Sequence, residues 1–600
     1  MRTKSNWLKL FTALTVLALV LAAASCGKAT PTPEPTKPPE AKPTATKPPA
    51  KPTDTPKPVG PKRGGTIVFV IPEDPPSFNA YVNDTGYEEL AAEMMNLGLA
   101  EIAPDGTYYP ELATELPTVE NGGVVLDEEE ETMTVTWHLH EGVRWEDGTP
   151  VTSADVKFTW EAITDEEGGV WWPGMELITD IETPDDYTVI LHYDSIYPGY
   201  LTQFGGEGTG IFPKHHCKTT DNFTTWECNH DPLSNGPFIL EEWVTGDHLT
   251  FVRNPDYFEE GKPYLDKIIV KIVPDESVRK TMMEAGDAHL DMWIVESFID
   301  ELAGSPTVDV NFAETGRWLM RLIPNLSEKG SADPEKPHPV LSDVRVRQAI
   351  RMAIDVDLIS KEIFGGHATP TWTEFFRPPY QCDIPKPKYD PEAAKALLEE
   401  AGWTDTDGDG IRECHGCGTA EDGYVMRIEN VIYAEYGEEL ELAQQLIADQ
   451  LKAIGLDLEL RMEEGGIIWA EWVDGGIEAT GNFDLDMWDD GWTGVDPTDF
   501  LWDYYYSEAI PTEEEPGAGT NVMRWANEDF DALLDEAYTL DEETRQEVFC
   551  EIAKIFDEEL PMIPLFVVPD VAAVSKKLKG VHVQVNDTIT WNAADWYLQE

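Results

Sequence analysis

From residue 30 to residue 58 the chain reads TPTPEPTKPPEAKPTATKPPAKPTDTPKP. Proline at that density removes backbone donors and fixes φ, so neither a helix nor a sheet can run through it. The stretch also lacks the apolar residues that burial requires, and the conformation open to it is extended polyproline II. Residues 28–63 therefore form a tether and not a domain, one that reaches roughly 100 Å at about 3.1 Å per residue. Everything that can build a core lies from Gly64 onward. That body is longer than one hydrophobic core usually organises, so two or more lobes are expected.

What precedes the tether says where it is attached. Arg2, Lys4 and Lys9 lead into an apolar run from Leu10 to Ala24, which ends in Ala23-Ala24-Ser25-Cys26-Gly27. The run is short for a membrane span and has the charged, apolar and small-residue order of a secretory signal. Small residues leading directly into a cysteine resemble a bacterial lipobox, with Ala23 in place of the usual leucine. The resemblance implies a signal peptide over 1–25 and Cys26 as the acylated first residue of the mature chain; a plain secreted protein is the alternative. No later stretch is long and apolar enough to span a bilayer. The expected location is extracytoplasmic, at the cell membrane through the lipid on Cys26, which suits a tethered receptor.

Six further cysteines remain, an even number that suggests disulfides in an oxidising compartment. Cys217 with Cys228 would close one short loop. Cys414-His-Gly-Cys417 has the spacing of half a zinc site, but the chain has no second such pair, and a local disulfide is the better reading. Cys382 with Cys550 follows only by elimination.

Charge excludes one class of partner. The chain carries 43 Lys and Arg against 114 Asp and Glu, a net −71, and a surface this negative repels phosphate backbones. Nucleic acid is set aside. Within the body, strands and helices interleave. Thr66–Ile71 and Met133–Leu139 read as strands, and Leu456, Leu458, Leu460 and Met462 alternate as in a half-buried strand. Before them Ala443, Leu446, Ile447, Leu451 and Ile454 fall at helical spacing, with Gly455 where a C-terminal cap belongs. Asp390-Pro391 and Asn527 open two more helices, and Val346, Ala349, Ile350 and Ala353 stripe another, leaving Arg345, Arg347 and Arg351 to solvent or ion pairs. The fold class is α/β.

The same segments resemble, in order, the bacterial extracellular solute-binding proteins of the oligopeptide/dipeptide/nickel ABC-importer class, solute-binding protein family 5. They are GGTIVFVIPEDPPSFNAY (64–81), YPELATEL (109–116), HLHEGVRWEDGTPVTSADVKFTWEAI (138–163), SNGPFIL (234–240), VRNPDYFEEGKPYLDKI (252–268), EAGDAHLDMW (284–293), VRVRQAIRMAID (344–355), YDPEAAKALLEEAGW (389–403), FDLDMWDDGWTGVDPTDFL (483–501) and LPMIPLF (560–566). His140 stands where Arg or Lys is usual. The resemblance implies a two-lobe periplasmic-binding-protein fold, type II-like, with an extra domain inserted in the first lobe. The expected boundaries are lobe I at 64–106, 226–312 and 563–600, the inserted domain at 107–225, and lobe II at 313–562. It also implies a monomer that is not an enzyme, captures a small-molecule ligand between its lobes and delivers it to ABC permease subunits. A short peptide is the first expectation for that ligand, and a sugar or other solute the second.

In peptide-binding relatives a Gly-Trp segment lines the cleft and an Asp shortly after it holds the peptide amine. Here Trp488-Asp-Asp-Gly-Trp492-Thr-Gly-Val-Asp496-Pro497 departs, as though that Asp were missing or displaced to Asp496. Asp496 is read either as the amine's counter-charge or as a turn former before Pro497. Tyr81, Trp171, Trp172, Trp318, Trp372, Trp488 and Trp492 are the candidate stacking rings, with core packing as the alternative. Asn325 ends a strand and has a structural reading. Asp405, Asp407, Asp409 and Glu413 place oxygen ligands at alternate positions around Gly410, like the first half of a calcium loop, although position twelve is Gly416. They make either a Gly/Asp-rich turn or a structural Ca²⁺ site; no other cofactor is called for. His138, His140, His215 and His216 form no recognisable zinc ligand series, and there is no nucleophile elbow or phosphate-binding glycine loop.

Overall fold

The computed structural model describes residues 61–599 apart from Asn83, Asp84, Glu128, Glu166, Glu167, Trp171, Glu207, Gly208, Trp293, Ala332, Pro334, Glu335 and Thr493. The signal peptide, Cys26 and nearly all of the tether lie outside the described residues. Three sheets organise the body.

The first has seven strands, in the order Val308–Phe312, Val571–Ser575, Leu290–Asp291, Thr66–Ile71, Lys267–Ile272, His248–Arg253 and Phe238–Val244. Thr66–Ile71 lies parallel to Lys267–Ile272, Thr66 opposite Lys267, and is covered on both faces. Ile67, Phe69 and Ile71 join one core with Phe251, Ile268 and Trp596. Val70 joins the opposite core with Met283, Leu302 and Ala573. Continuous apolar strands of this kind are what a sheet buried on both sides requires.

The second sheet has six strands, in the order Thr369–Pro370, Ile563–Val567, Leu319–Pro324, Leu485–Asp490, Arg427–Tyr433 and Asp457–Glu463. Helices Val344–Ala353, Pro391–Glu400 and Glu438–Lys452 cover one face and share its core. Their ends form as the sequence predicts. The Asp390 carboxylate accepts from the Ala393 N–H, and the Asn527 side chain accepts from Asp529 and Phe530. Gly455 takes φ +93°, and a side chain there would strike Arg412. The alternation at 456–462 is only half realised, because Asp457–Glu463 is the edge strand: Leu456 and Leu458 are buried, Leu460 and Met462 exposed.

Arg347 is also placed otherwise than expected. Arg345 and Arg351 pair with Asp343 and Asp557, but Arg347 is buried and donates to the carbonyls of Leu341, Ser342, Glu559 and Leu560. The last two end helix Glu542–Glu559, where a cation is favoured by the unpaired carbonyls.

The third sheet is antiparallel, Val124–Asp127, Thr132–His138, Thr188–Tyr193 and Ile178–Asp185, and packs on helix Ser153–Ile163. Thr152 and Asp155 make a capping box at that helix's start. Its core holds Trp137, Trp145 and Phe158, together with Leu97, Leu99 and Ala100 before the expected inserted domain and Trp226 and Cys228 just after it.

The chain crosses from the first sheet to the second between Phe312 and Leu319, and returns between Val567 and Val571. The expected return at 563 is thus corrected: Ile563–Val567 pairs with Leu319–Pro324, and Ile563, Leu565 and Phe566 are buried in the second lobe's core. The two crossings touch. The Arg317 N–H donates to the Asp570 carboxylate at 2.8 Å, and the Ala313 N–H to the Asp570 carbonyl at 2.9 Å. Three disulfides are present, Cys217–Cys228, Cys382–Cys550 and Cys414–Cys417. Among the described residues no helix is long and apolar enough to cross a membrane.

Candidate functional site

Strand Leu485–Asp490 ends at the mouth of the second lobe, and ligands of open α/β sheets bind beyond such strand ends. There the chain turns through Gly491, Trp492 and Gly494 into helix Thr498–Tyr505. Gly494 has φ +60°, and a Cβ on it would come within 3.2 Å of the Ile102 side chain, so the turn lies close against the first lobe.

The helix sequence TDFLWDYY sets two rows at i, i+4 spacing. Thr498, Leu501 and Tyr505 are buried. Asp499 and Asp503 form one row on the cleft side, and Phe500 and Tyr504, stacked with centroids 4.4 Å apart, form the other. Trp172, Pro173, Tyr197 and Asn586 face them from the first lobe and its inserted domain, with Trp318 from the crossing. The cavity so enclosed is about 270 Å³, near the lower end of the ~300–1,000 Å³ of small-molecule sites. The lobes meet across it. The Tyr197 hydroxyl donates to Asp499 Oδ2 at 2.6 Å, and Arg377 donates to the Val585 carbonyl at 3.2 Å while its guanidinium lies over the Trp492 ring.

Four carboxyls line this cleft, Asp490, Asp496, Asp499 and Asp503, and among its described lining residues there is no Lys, Arg or His. Two have cations behind them. Asp496 Oδ1 takes Arg545 Nη2 at 2.6 Å, and Asp490 stands 4.0 Å from Arg321 Nη2 and accepts from the Tyr504 hydroxyl. The other two have only neutral partners. Asp499 accepts from Tyr197 and, at 3.5 Å, from the Tyr538 hydroxyl; Asp503 accepts from the Thr520 hydroxyl. Burial pushes the Asp499 carboxyl up to about 7, with Asp496 and Glu176 adding to the rise and Tyr197 opposing it. Burial also raises Asp503, against its Thr520 hydrogen bonds.

Of the rings and carboxylates expected at the site, Trp318, Trp492 and Asp496 line the cleft, as does Trp172. Trp171 lies outside the described residues. Trp488 stands behind the wall: its indole N–H donates to Glu478 at 2.8 Å and its ring packs 5.5 Å from the Arg321 guanidinium. Its strand pairs Trp488 with Arg321, which turns the ring inward. Tyr81 is a packing residue. Its hydroxyl lies 3.2–3.3 Å from the carbonyls of Gln203, Thr209 and Gly210, and its ring supports Trp172 edge-on at 5.0 Å. Trp372 lines a separate hollow with Asp355, Lys386 and Tyr389. Asp496 does not stand ready as a free counter-charge: Arg545, the Thr498 N–H and the Thr498 hydroxyl all use its Oδ1. Asn325 is structural, donating to the carbonyls of Gly481 and Phe483. Sequence reading missed Tyr197, Asp499, Phe500, Asp503 and Tyr504. The i, i+4 rows of acids and rings just after the Asp-Pro turn were the available signal.

Away from the cleft, Asp405, Asp407, Asp409 and Glu413 bring carboxylate oxygens within 4.8 Å of one another, between the short strands Trp403–Thr404 and Glu413–Cys414. Backbone N–H groups of Gly408, Gly410, Asp409 and Ile411 hold the aspartates in place. An all-oxygen donor set fits a hard cation such as Ca²⁺.

Two lobes joined by a pair of adjacent crossings, with a cleft between them, define a solute-binding protein of the periplasmic type that holds its ligand between lobes. The family model of bacterial extracellular solute-binding proteins, family 5 (middle region), matches residues 107–511, and the chain belongs to that family. The oligopeptide-binding protein AppA of Bacillus subtilis is 24% identical over 610 residues, spanning 100% of both chains. The solved structure of AppA in complex with a nonapeptide superposes with a TM-score of 0.69 at 21% identity, covering 90% of this chain and 100% of that one. NikA from Brucella suis in complex with Fe(III)-EDTA gives 0.72 at 21% identity, covering 89% and 100%. The protein is an extracellular solute-binding protein of that family.

Proposed function

We propose that this chain is a membrane-tethered receptor that captures a short peptide in the interlobe cleft and presents it, with the lobes closed, to the permease subunits of its importer. Its signal peptide is removed, Cys26 carries the lipid, and the Pro-rich tether lets a monomeric body range roughly 100 Å from the membrane. The observation that carries the reading is the cleft. It lies between lobes linked by two adjacent crossings, and is walled by rings and a few polar groups, the usual composition of a small-ligand site. Similarity to an oligopeptide-binding protein over the whole chain supports a peptide. The loop at Asp405, Asp407, Asp409 and Glu413 is proposed to hold a structural Ca²⁺ that stiffens the second lobe.

The test joins native mass spectrometry with small-angle scattering. A co-purifying peptide of a few residues is expected. Its removal should expand the particle, because ligand between lobes favours the closed state by mass action. A particle of unchanged dimensions with and without saturating ligand overturns the cleft mechanism. A co-purifying sugar overturns the peptide assignment alone.

A further inference from the structure

We propose that a groove in the second lobe, between segments 464–482 and 506–522, docks a basic, apolar segment of the importer's permease. The inference rests on the receptor reading and assigns a surface to its membrane partner.

Sheet topology puts the groove beside the cleft. Strands Asp457–Glu463 and Leu485–Asp490 both run parallel to Arg427–Tyr433, so all three end at the edge of the sheet where the cleft opens. Segment 464–482 leaves Asp457–Glu463 at that edge. Its Trp469 packs on Tyr433 and Trp488, with ring centroids 5.2 and 5.7 Å away. Segment 506–522 hangs from the cleft helix Thr498–Tyr505. There the Thr520 N–H donates to the Asp503 carbonyl at 2.9 Å, and the Thr520 hydroxyl donates to the Asp503 carboxylate. Between the two segments lies a groove of about 460 Å³, walled by Trp469, Trp472, Val473, Pro511 and Pro516. The elements that wall the cleft therefore also hold the groove.

Two properties choose the occupant. The first is apolar surface left in water: Ile467 and Trp469 are each 45% exposed and Val473 76%. The edge strand leading into the groove exposes Leu460 and Met462 as well. Clustered exposed apolar side chains mark contact surfaces, and tryptophan is enriched among the residues that dominate their binding energy. The second is unrelieved negative charge. Every charged residue of segments 464–482 and 506–522 is Asp or Glu, with no Lys, Arg or His. Among the described residues no ion pair engages Glu471, Asp474, Glu513, Glu514 or Glu515. Such a groove repels a second copy of this chain, whose net charge is −71, and it repels an anionic lipid surface. It attracts a basic segment. The protein that meets this edge when the cleft presents its ligand is the permease.

The test is photocrosslinking of the full-length lipoprotein in membranes isolated from its own cells. The photoreactive residue p-benzoylphenylalanine replaces Val473 in the groove or, as control, Val125, 59% exposed on the antiparallel sheet. Position 473 and not 125 should give an adduct whose tryptic peptides identify an ABC permease subunit. Glu471→Lys with Glu513→Lys and Glu515→Lys should cut the yield of that adduct about tenfold or more, with Tm unchanged. Raising salt from about 0.05 M to about 0.5 M should lower the wild-type yield likewise, which decides the matter should the triple variant fold poorly. No adduct, an adduct with lipid or a second copy alone, or the same permease adduct from both positions overturns the docking surface. A permease adduct indifferent to charge reversal and salt overturns the basic partner. A ligand that co-purifies while position 473 finds no permease sinks this surface alone; the absence of both sinks the receptor reading with it.

Discussion

Glu374→Gln should lower the melting temperature of the second lobe more than any other single neutralising change near the cleft. Arg321 and Glu374 are an ion pair with side chains 1% and 0% exposed, and the Arg321 Nη1 donates to Glu374 Oε1. The Tyr505 hydroxyl donates to the same oxygen at 2.7 Å. Above the guanidinium lie the rings of Trp488, Phe500 and Tyr504, at 5.5, 5.4 and 5.8 Å. Burial raises the Glu374 carboxyl, and Arg321 opposes the rise. Glutamine has nearly the same shape but leaves a buried guanidinium whose remaining counter-charge is Asp490, 4.0 Å away. Breaking a buried pair by removing one partner costs about 3–5 kcal/mol. At about 2–4 °C per kcal/mol for a unit of 150–250 residues, that lowers Tm by roughly 6–20 °C. Arg321→Met combined with Glu374→Leu should recover much of the loss, because both charges then vanish and the volume stays apolar. Differential scanning calorimetry on the wild type, both single variants and the double variant makes the measurement. A Glu374→Gln melt within about 2 °C of wild type, or a double variant no better than either single one, refutes the argument.

Affinity for a cationic ligand should rise about tenfold between pH 6 and pH 8, because the Asp499 carboxyl, held at about 7, must ionise to accept the cation. A flat profile by fluorescence titration refutes that expectation. Stability should fall over the same range for a different reason. Burial, with Asp587, Glu93 and Glu111 nearby, holds Glu101 well above the ordinary glutamate value, so its contribution is full below the unfolded value near ~4.3 and is lost as pH rises. Glu101→Gln should flatten the Tm profile from pH 5 to 8, and an unchanged slope would show that other groups set it. Millimolar Ca²⁺ should raise Tm in the wild type and not in Asp407→Ala, with no response in either refuting a metal in that loop. Cys26→Ala should release the protein from membranes with its melt unchanged; a variant that still sediments with membranes refutes anchoring through Cys26.

Much of the scaffold was legible along the chain. The caps at Asp390, Asn527 and Gly455 are local chemistry, decided by a side chain and backbone groups within a turn of it. The apolar stripe from Val346 to Ala353 and the strand Thr66–Ile71 are periodic signals of the same short range. The Pro-rich tether was an expectation from composition alone, and nearly all of it lies outside the described residues. What the cleft does with its charges was not legible, because an ion pair joins residues without regard to their separation along the chain. Asp496 reads in sequence either as a counter-charge or as a turn former before Pro497, and only the packing of helix Glu542–Glu559 brings Arg545 against it while leaving Asp499 with hydroxyl partners. Trp488 and Trp492 read alike in sequence. Strand pairing turned the first onto Arg321, and the turn beyond the strand carried the second to the cleft. Sequence determined which elements form, because propensity, capping and periodicity act over a few residues. Tertiary structure alone decided which carboxylates are neutralised and which rings are exposed to a ligand, because burial and Coulomb attraction depend on the distances that packing sets.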